Sequence, residues 1–254
     1  MAAISDIRRE LSEIPSSEWP AFIERYGTDE RTGVQKLVEK CRKQMEKAAE
    51  EDARLEHMLF YEKKYYEDYD YICGIDEAGR GPLAGPVVAG AVILPKGLKI
   101  PYLNDSKQLS AKRREELFDI IMEKALAVGV GVASPERIDE INILQATYEA
   151  MRQAVAELKV KPQILLNDAV YIPGLDLPQE KIIKGDAKSL SIAAASVIAK
   201  VTRDRLMVEY DKIMPGYGFA ANKGYGSAEH IAALKKYGPT PIHRRSFIGN
   251  FVEV

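Results

Sequence analysis

The sequence predicts an α/β fold: one mixed five-stranded sheet flanked by helices, behind an N-terminal helical extension. Three observations predict it. Residues 1–70 repeat apolar positions at helical spacing. From Tyr71 the texture changes to β-branched runs broken by glycine. Beyond the second such run, strands alternate with amphipathic segments, as in a single sheet covered by helices. The 254 residues suffice for one good-sized core and an appendage, with boundaries expected at 1–70 and 71–254.

Taken in order, SEIPSSEWPAFIERYGTDER carries Pro15, Pro20 and Gly27 and reads as a short helix bounded by turns. A long helix follows, with Val34, Leu37, Val38, Cys41 and Met45, then Leu55, Met58 and Leu59, at steps of three and four. The tyrosines at 61, 65, 66, 69 and 71 are expected to pack this helical segment against the body. YICGID and PVVAGAVIL are strands joined by the turn AGRGPLAGP. Ser110 caps a helix over SAKRREELFDIIMEKAL, VGVGVA is the third strand, and Ser134-Pro135 opens a helix to about Leu158. PQILLND is the fourth strand and KIIK (181–184) the fifth. LSIAAASVIAKVTRDRLMVEY is a long helix, and the remainder is loop-rich with short helical pieces.

Composition narrows the function. A formal charge of -2 with 46% hydrophobic residues excludes a disordered tract or a polybasic wrapper. The charge is unevenly spread: residues 1–70 hold 12 basic and 17 acidic side chains, whereas residues 182–254 hold 11 basic and 6 acidic. A phosphate-facing surface is expected in that last third. No apolar run reaches membrane-spanning length, and MAAISDIRRE lacks the apolar core of a signal peptide. Cys41 and Cys73 have no metal-ligand spacing, so reduced thiols and a cytoplasmic location are expected.

The chemistry is concentrated in carboxylates. Asp76 and Glu77 end the first strand, Asp168 ends the fourth, and Asp186 follows the fifth. Adjacent strand residues face opposite ways, so Asp76 and Glu77 share one site only if the strand ends or bulges between them. Strand ends converge on one rim of an α/β sheet, where clustered acids repel unless a divalent cation neutralises them. Oxygen ligands without His or Cys favour Mg²⁺ or Mn²⁺. Four carboxylates can hold two such ions, one activating a water and the other stabilising a departing 3′ oxygen, the chemistry of a phosphodiesterase. As a nucleotide-phosphate cradle GRGPLAGP lacks the required Gly-Lys-Ser/Thr ending. A catalytically silent nucleic-acid binder is the alternative function. His57 and His230 are expected on helix surfaces, without chemistry.

The segments YICGIDEAGRGPLAGPVVAGAVIL, NDSKQLS, LLNDA, GDAKSLSIAAASVIAKVTRDRLM, NKGYGSAEHIAAL and HRRSF resemble bacterial ribonuclease HII in order over about residues 71–251. The resemblance implies a ribonuclease H-like fold and hydrolysis of the RNA strand of RNA–DNA hybrids; a monomer is expected. It also implies incision 5′ of single ribonucleotides in duplex DNA, leaving 3′-hydroxyl and 5′-phosphate ends, in ribonucleotide excision repair and DNA replication. Asp76, Glu77, Asp168 and Asp186 become the catalytic metal ligands, with two ions when substrate is bound. Gly79, Arg80 and Gly81 would read the 2′-hydroxyl through their backbone, and Tyr225 would stack on the deoxyribose after the ribonucleotide. Lys107, Lys188, Ser189 and Ser191 would meet phosphates, and His243, Arg244 and Arg245 would bind the nucleic-acid backbone. Two departures stand out. Ala169 follows Asp168 where many relatives have glycine, and shorter relatives lack the helical extension of about 70 residues, which also differs from the sheet-containing N-terminal domain of ribonuclease HIII.

Overall fold

A computed structural model describes residues 2–253. The chain divides into two compact units between Arg54 and Leu55, earlier than the change of texture at Tyr71. The first unit contains α1 (Ile4–Glu13), α2 (Trp19–Tyr26) and most of α3 (Thr32–Met58). Its core is Ile7, Phe22, Val34, Val38 and Cys41, the last three on the stripe expected from their spacing. Helix α1 lies in the segment expected to be helical, though not singled out there; Ile4, Ile7 and Leu11 give it one apolar face.

In the second unit, α4 (Phe60–Tyr65) follows the end of α3. Tyr61, Tyr65, Tyr66 and Tyr69 pack on Ile72, Ile164, Leu166, Ile182 and Ile192, as expected for a packing role, whereas Tyr71, expected with them, is exposed. The sheet comprises β1 (Ile72–Ala78), β2 (Val87–Ile93), β3 (Ala127–Ala133), β4 (Ile164–Asp168) and β5 (Gln179–Ile182), in the order β3-β2-β1-β4-β5. β1 to β3 are antiparallel neighbours, whereas β4 lies parallel to β1 and β5 parallel to β4. The fifth strand ends two residues before the expected Lys184 because that residue takes a left-handed conformation, φ 57°, which turns the chain out of the ladder.

Helices α5 (Ala111–Lys124), α6 (Pro135–Ala156) and α7 (Leu190–Ile213) cover the sheet, followed by α8 (Phe219–Asn222), α9 (Ala228–Tyr237) and α10 (Arg245–Ile248). Ser110 and Ser134 cap α5 and α6 as expected, accepting from the amides of Arg113 and Arg137. Asn142, at φ 68°, kinks α6 and recaps its second half through Leu144 and Gln145. α6 packs on one face of the sheet and α7 on the other. A Cβ at Gly74 would lie 2.0 Å from the Ser191 backbone, and one at Gly90 would lie 2.4 Å from the Ala195 carbonyl. Only glycine permits α7 to run this close to β1 and β2, and that approach fixes the buried side of the site.

Candidate active site at the strand ends

Strand register builds the site. The parallel pairing of β1 with β4 matches Ile75 to Asn167, so the next residues, Asp76 and Asp168, emerge side by side. β5 pairs Ile182 with Asp168. The turn through Lys184 then brings Gly185 back, and its amide donates to Asp168 Oδ1 at 2.7 Å. Asp186 follows at the threshold of α7. Carboxylate oxygens of Asp76, Asp168 and Asp186 consequently lie within 4.8 Å of one another.

Glu77 is not in that group. β1 continues in regular pairing through Ala78, with Asp76 opposite Gly90 and Glu77 opposite Ala89. Without a break the two side chains leave on opposite faces, and Glu77 forms an ion pair with Arg80 at 3.4 Å. It still feels the cluster: burial chiefly, and Asp168 in addition, raise its pKa against the pull of Arg80.

The cluster is electrostatically strained. Asp76 is 3% and Asp186 6% exposed. Burial, then Glu77 and Asp168, push the Asp76 carboxyl well above its usual range, although the Glu77 amide donates to it at 2.8 Å. Burial, then Asp168 and Asp105, raise Asp186 likewise. Lys107 lies 3.3 Å from Asp186 and 3.8 Å from Asp105. Desolvation lowers its pKa, but Asp105, Asp186 and Asp76 together outweigh this and keep it charged. Expected to meet phosphate, Lys107 instead neutralises carboxylates here. An all-oxygen cluster with one lysine against three acids fits a hard divalent cation.

Beside the cluster runs the loop from Gly79 to Pro86. Gly79 has φ 94°, and a Cβ on it would lie 2.0 Å from Arg203 Nε. The space around a Cβ at Gly81 is open within 4 Å, leaving room for a ligand against the backbone. Arg203, on α7, donates to the carbonyls of Pro86 (2.9 Å), Ala84 (3.1 Å) and Lys223 (2.9 Å). Arg244 donates to those of Gly79 (2.5 Å), Arg80 (2.8 Å) and Gly85 (2.9 Å). Both guanidiniums are buried, and they shape the loop from beneath. Tyr225 is 46% exposed, and Arg203 Cζ lies 5.9 Å from its ring centroid.

Several expected substrate contacts are placed elsewhere. His243 and Arg244 are buried under the loop; only Arg245 of that basic triplet is exposed. Ser189 and Ser191 are buried as well. The Ser189 hydroxyl donates to Glu62 Oε1 at 2.6 Å and the Ser191 amide to the same oxygen at 2.9 Å, so they fasten the start of α7 instead of facing solvent. Lys188 is exposed. His230, expected on a helix surface, is fully buried. The two arginines had one legible signal: Arg203 falls four and seven residues after Ala199 and Ser196, on the buried face of α7. Glu62 had none, since its partners lie far along the chain.

A mixed sheet flanked by helices, with carboxylates gathered at the ends of its parallel strands, defines a nuclease of the ribonuclease H-like class. Residues 73–250 match the family model described as ribonuclease HII, and residues 3–66 match the ribonuclease HII N-terminal domain. Ribonuclease HII of Lachnoclostridium phytofermentans is 64% identical, over 97% of both chains. That of Clostridioides difficile is 49% identical over 98% of both. The crystal structure of ribonuclease H2 from Pyrococcus horikoshii has a TM-score of 0.56 at 30% identity, covering 69% of this chain and 93% of that one. This chain belongs to the ribonuclease HII family, metal-dependent endonucleases with ribonuclease H activity on RNA–DNA hybrids. Among the described residues, no helix is long and apolar enough to cross a membrane.

Proposed function

We propose that this chain, besides cutting the RNA strand of hybrids, incises 5′ of a single ribonucleotide embedded in duplex DNA, leaving 3′-hydroxyl and 5′-phosphate ends. The observation that carries the reading is the meeting of Asp76, Asp168 and Asp186 within 4.8 Å, next to a glycine loop and an exposed tyrosine. These three carboxylates, with Glu77 at the rim, are the residues that would hold two Mg²⁺ or Mn²⁺ ions. Bound there, the cations would supply charge neutralisation, activation of a water and stabilisation of the departing 3′ oxygen.

The protein's own groups do the rest. The backbone of Gly79, Arg80 and Gly81 meets the 2′-hydroxyl, with Arg244 holding Gly79 and Arg80, and Arg203 holding Ala84 and Pro86 farther along the loop, before substrate arrives. Tyr225 stacks on the deoxyribose that follows the ribonucleotide, where another 2′-hydroxyl would obstruct it. Lys107, Lys188 and Arg245 are exposed cations of the right sign for phosphate; Lys107 becomes available once its carboxylate partners have a divalent counterion. The test is a duplex carrying one ribonucleotide, incubated with Mg²⁺, Mn²⁺ or EDTA, with the cut mapped. Cleavage 5′ of the ribonucleotide with either ion and none in EDTA is expected. Intact substrate in all three, with a continuous RNA–DNA hybrid still cut under Mg²⁺, would refute incision at single ribonucleotides.

A further inference from the structure

Two histidines that the chemistry above does not use form a buried pair, with Nε2 atoms 3.0 Å apart. Their protons can be placed by elimination. The Thr240 amide, which can only donate, points at His243 Nδ1 from 2.9 Å, and the Thr240 hydroxyl is 2.8 Å from the same nitrogen. Nδ1 therefore carries no proton, and neutral His243 has its hydrogen on Nε2. His230 Nε2 must accept it. The His230 proton is then on Nδ1, where it donates to the Tyr225 carbonyl at 2.8 Å. The result is a one-way relay from Thr240 through His243 and His230 to Tyr225. An added proton would set two donors against each other. Burial keeps both rings neutral, with His243 held down to about 4. Tyr217 and Phe219 pack against both rings.

The relay joins the two parts of the recognition surface. His243 is followed by Arg244, the staple of Gly79, Arg80 and Gly85, and His243 itself bridges to Ala84. The Leu83 amide donates to the Gly224 carbonyl at 2.8 Å, one residue before Tyr225. We propose that His230, set in its tautomer by His243, is a positioning residue that holds Tyr225 against the Gly79-Arg80-Gly81 turn and so determines discrimination of the RNA-to-DNA junction. The proposal rests on the reading of Tyr225 given above.

The experiment uses the full chain with Mg²⁺ and compares initial cleavage rates on a duplex with one ribonucleotide and on a continuous RNA–DNA hybrid. Asn at 230 can present its amide where Nδ1 stood and still reach the Tyr225 carbonyl. Gln places its amide near Nε2, and Phe has no donor. Losing one buried hydrogen bond corresponds to a change on the order of fivefold. His230→Phe and His230→Gln should lower the single-ribonucleotide to hybrid ratio by about that factor at an unchanged hybrid rate, and His230→Asn should restore it. A ratio that falls with Tyr225→Ala but not with His230→Phe or His230→Gln would overturn the relay alone. Equal falls for Asn, Gln and Phe, tracking their melting temperatures, would also overturn it. A ratio indifferent to Tyr225→Ala would overturn both the relay and the reading of Tyr225.

Discussion

Replacing Asp76 by Asn should make the metal-free protein more stable while disabling it. Two carboxylates within 4.8 Å of each other repel by about 3.5 kcal/mol or more at an effective dielectric constant of about 20. The alternative for the wild type is to protonate Asp76. Starting from the ordinary value of 3.8, this costs about 4 kcal/mol at pH 7, so the strain is bounded on both sides. Asn keeps the oxygen that accepts from the Glu77 amide and removes the charge. The variant should gain about 2–3 kcal/mol in EDTA at pH 7. Because the folded carboxyl has a raised pKa, the metal-free native state binds more protons than the unfolded chain above the ordinary value. Wild-type stability therefore falls as pH rises from 5 to 7, and the advantage of Asn shrinks to below about 2 kcal/mol at pH 5. Urea unfolding followed by far-ultraviolet circular dichroism is the assay, because the single tryptophan, Trp19, lies in the N-terminal unit. Added Mg²⁺ should stabilise the wild type and not the variant, and cleavage should drop at least about a hundredfold. A variant no more stable than the wild type in EDTA at pH 7 would refute the picture of a strained acidic cluster.

Arg244→Met removes three donors to loop carbonyls, a loss of about 3 kcal/mol. Burial, and then Arg203, already oppose the guanidinium charge and press its pKa down to about 9, so a net loss of about 2 kcal/mol in thermal or urea unfolding is expected. Glu62→Gln retains the oxygen that accepts from Ser189 and Ser191, removes a buried charge whose other oxygen has no partner, and should leave stability within about 1 kcal/mol of wild type. Glu62→Ala should cost about 2–3 kcal/mol by the same measurement. Ala169, at φ 54°, is strained by about 1 kcal/mol; Ala169→Gly should be neutral or stabilising in unfolding experiments, and a clear loss would contradict that strain.

The fold and the acids were legible because their signals are local. β-branched runs marked the strands, serines marked the starts of α5 and α6, and carboxylates at strand ends predicted a shared rim. Ala169 shows the same logic surviving a substitution: it adopts the backbone conformation that glycine would adopt there. What escaped was decided by partners far along the chain. HRRS reads as surface charge, and only the folded loop, with its inward carbonyls, shows that His243 and Arg244 are interior. Ser189 and Ser191 read as phosphate ligands until Glu62 is brought beside them. Glu77 lies outside the tightest group because β2 keeps pairing with β1 past both residues, although its charge still raises the pKa of Asp76.

The register between β1 and β4 has a consequence for how the molecule comes to life on the ribosome. The three antiparallel strands are contiguous in the chain and can assemble early, but Asp168 and Asp186 join Asp76 only after the second half has emerged and slotted in alongside. A nascent or truncated chain ending before β4 would thus own two of the acids and lack the centre that Asp168 and Asp186 complete, about three quarters of the way along the chain.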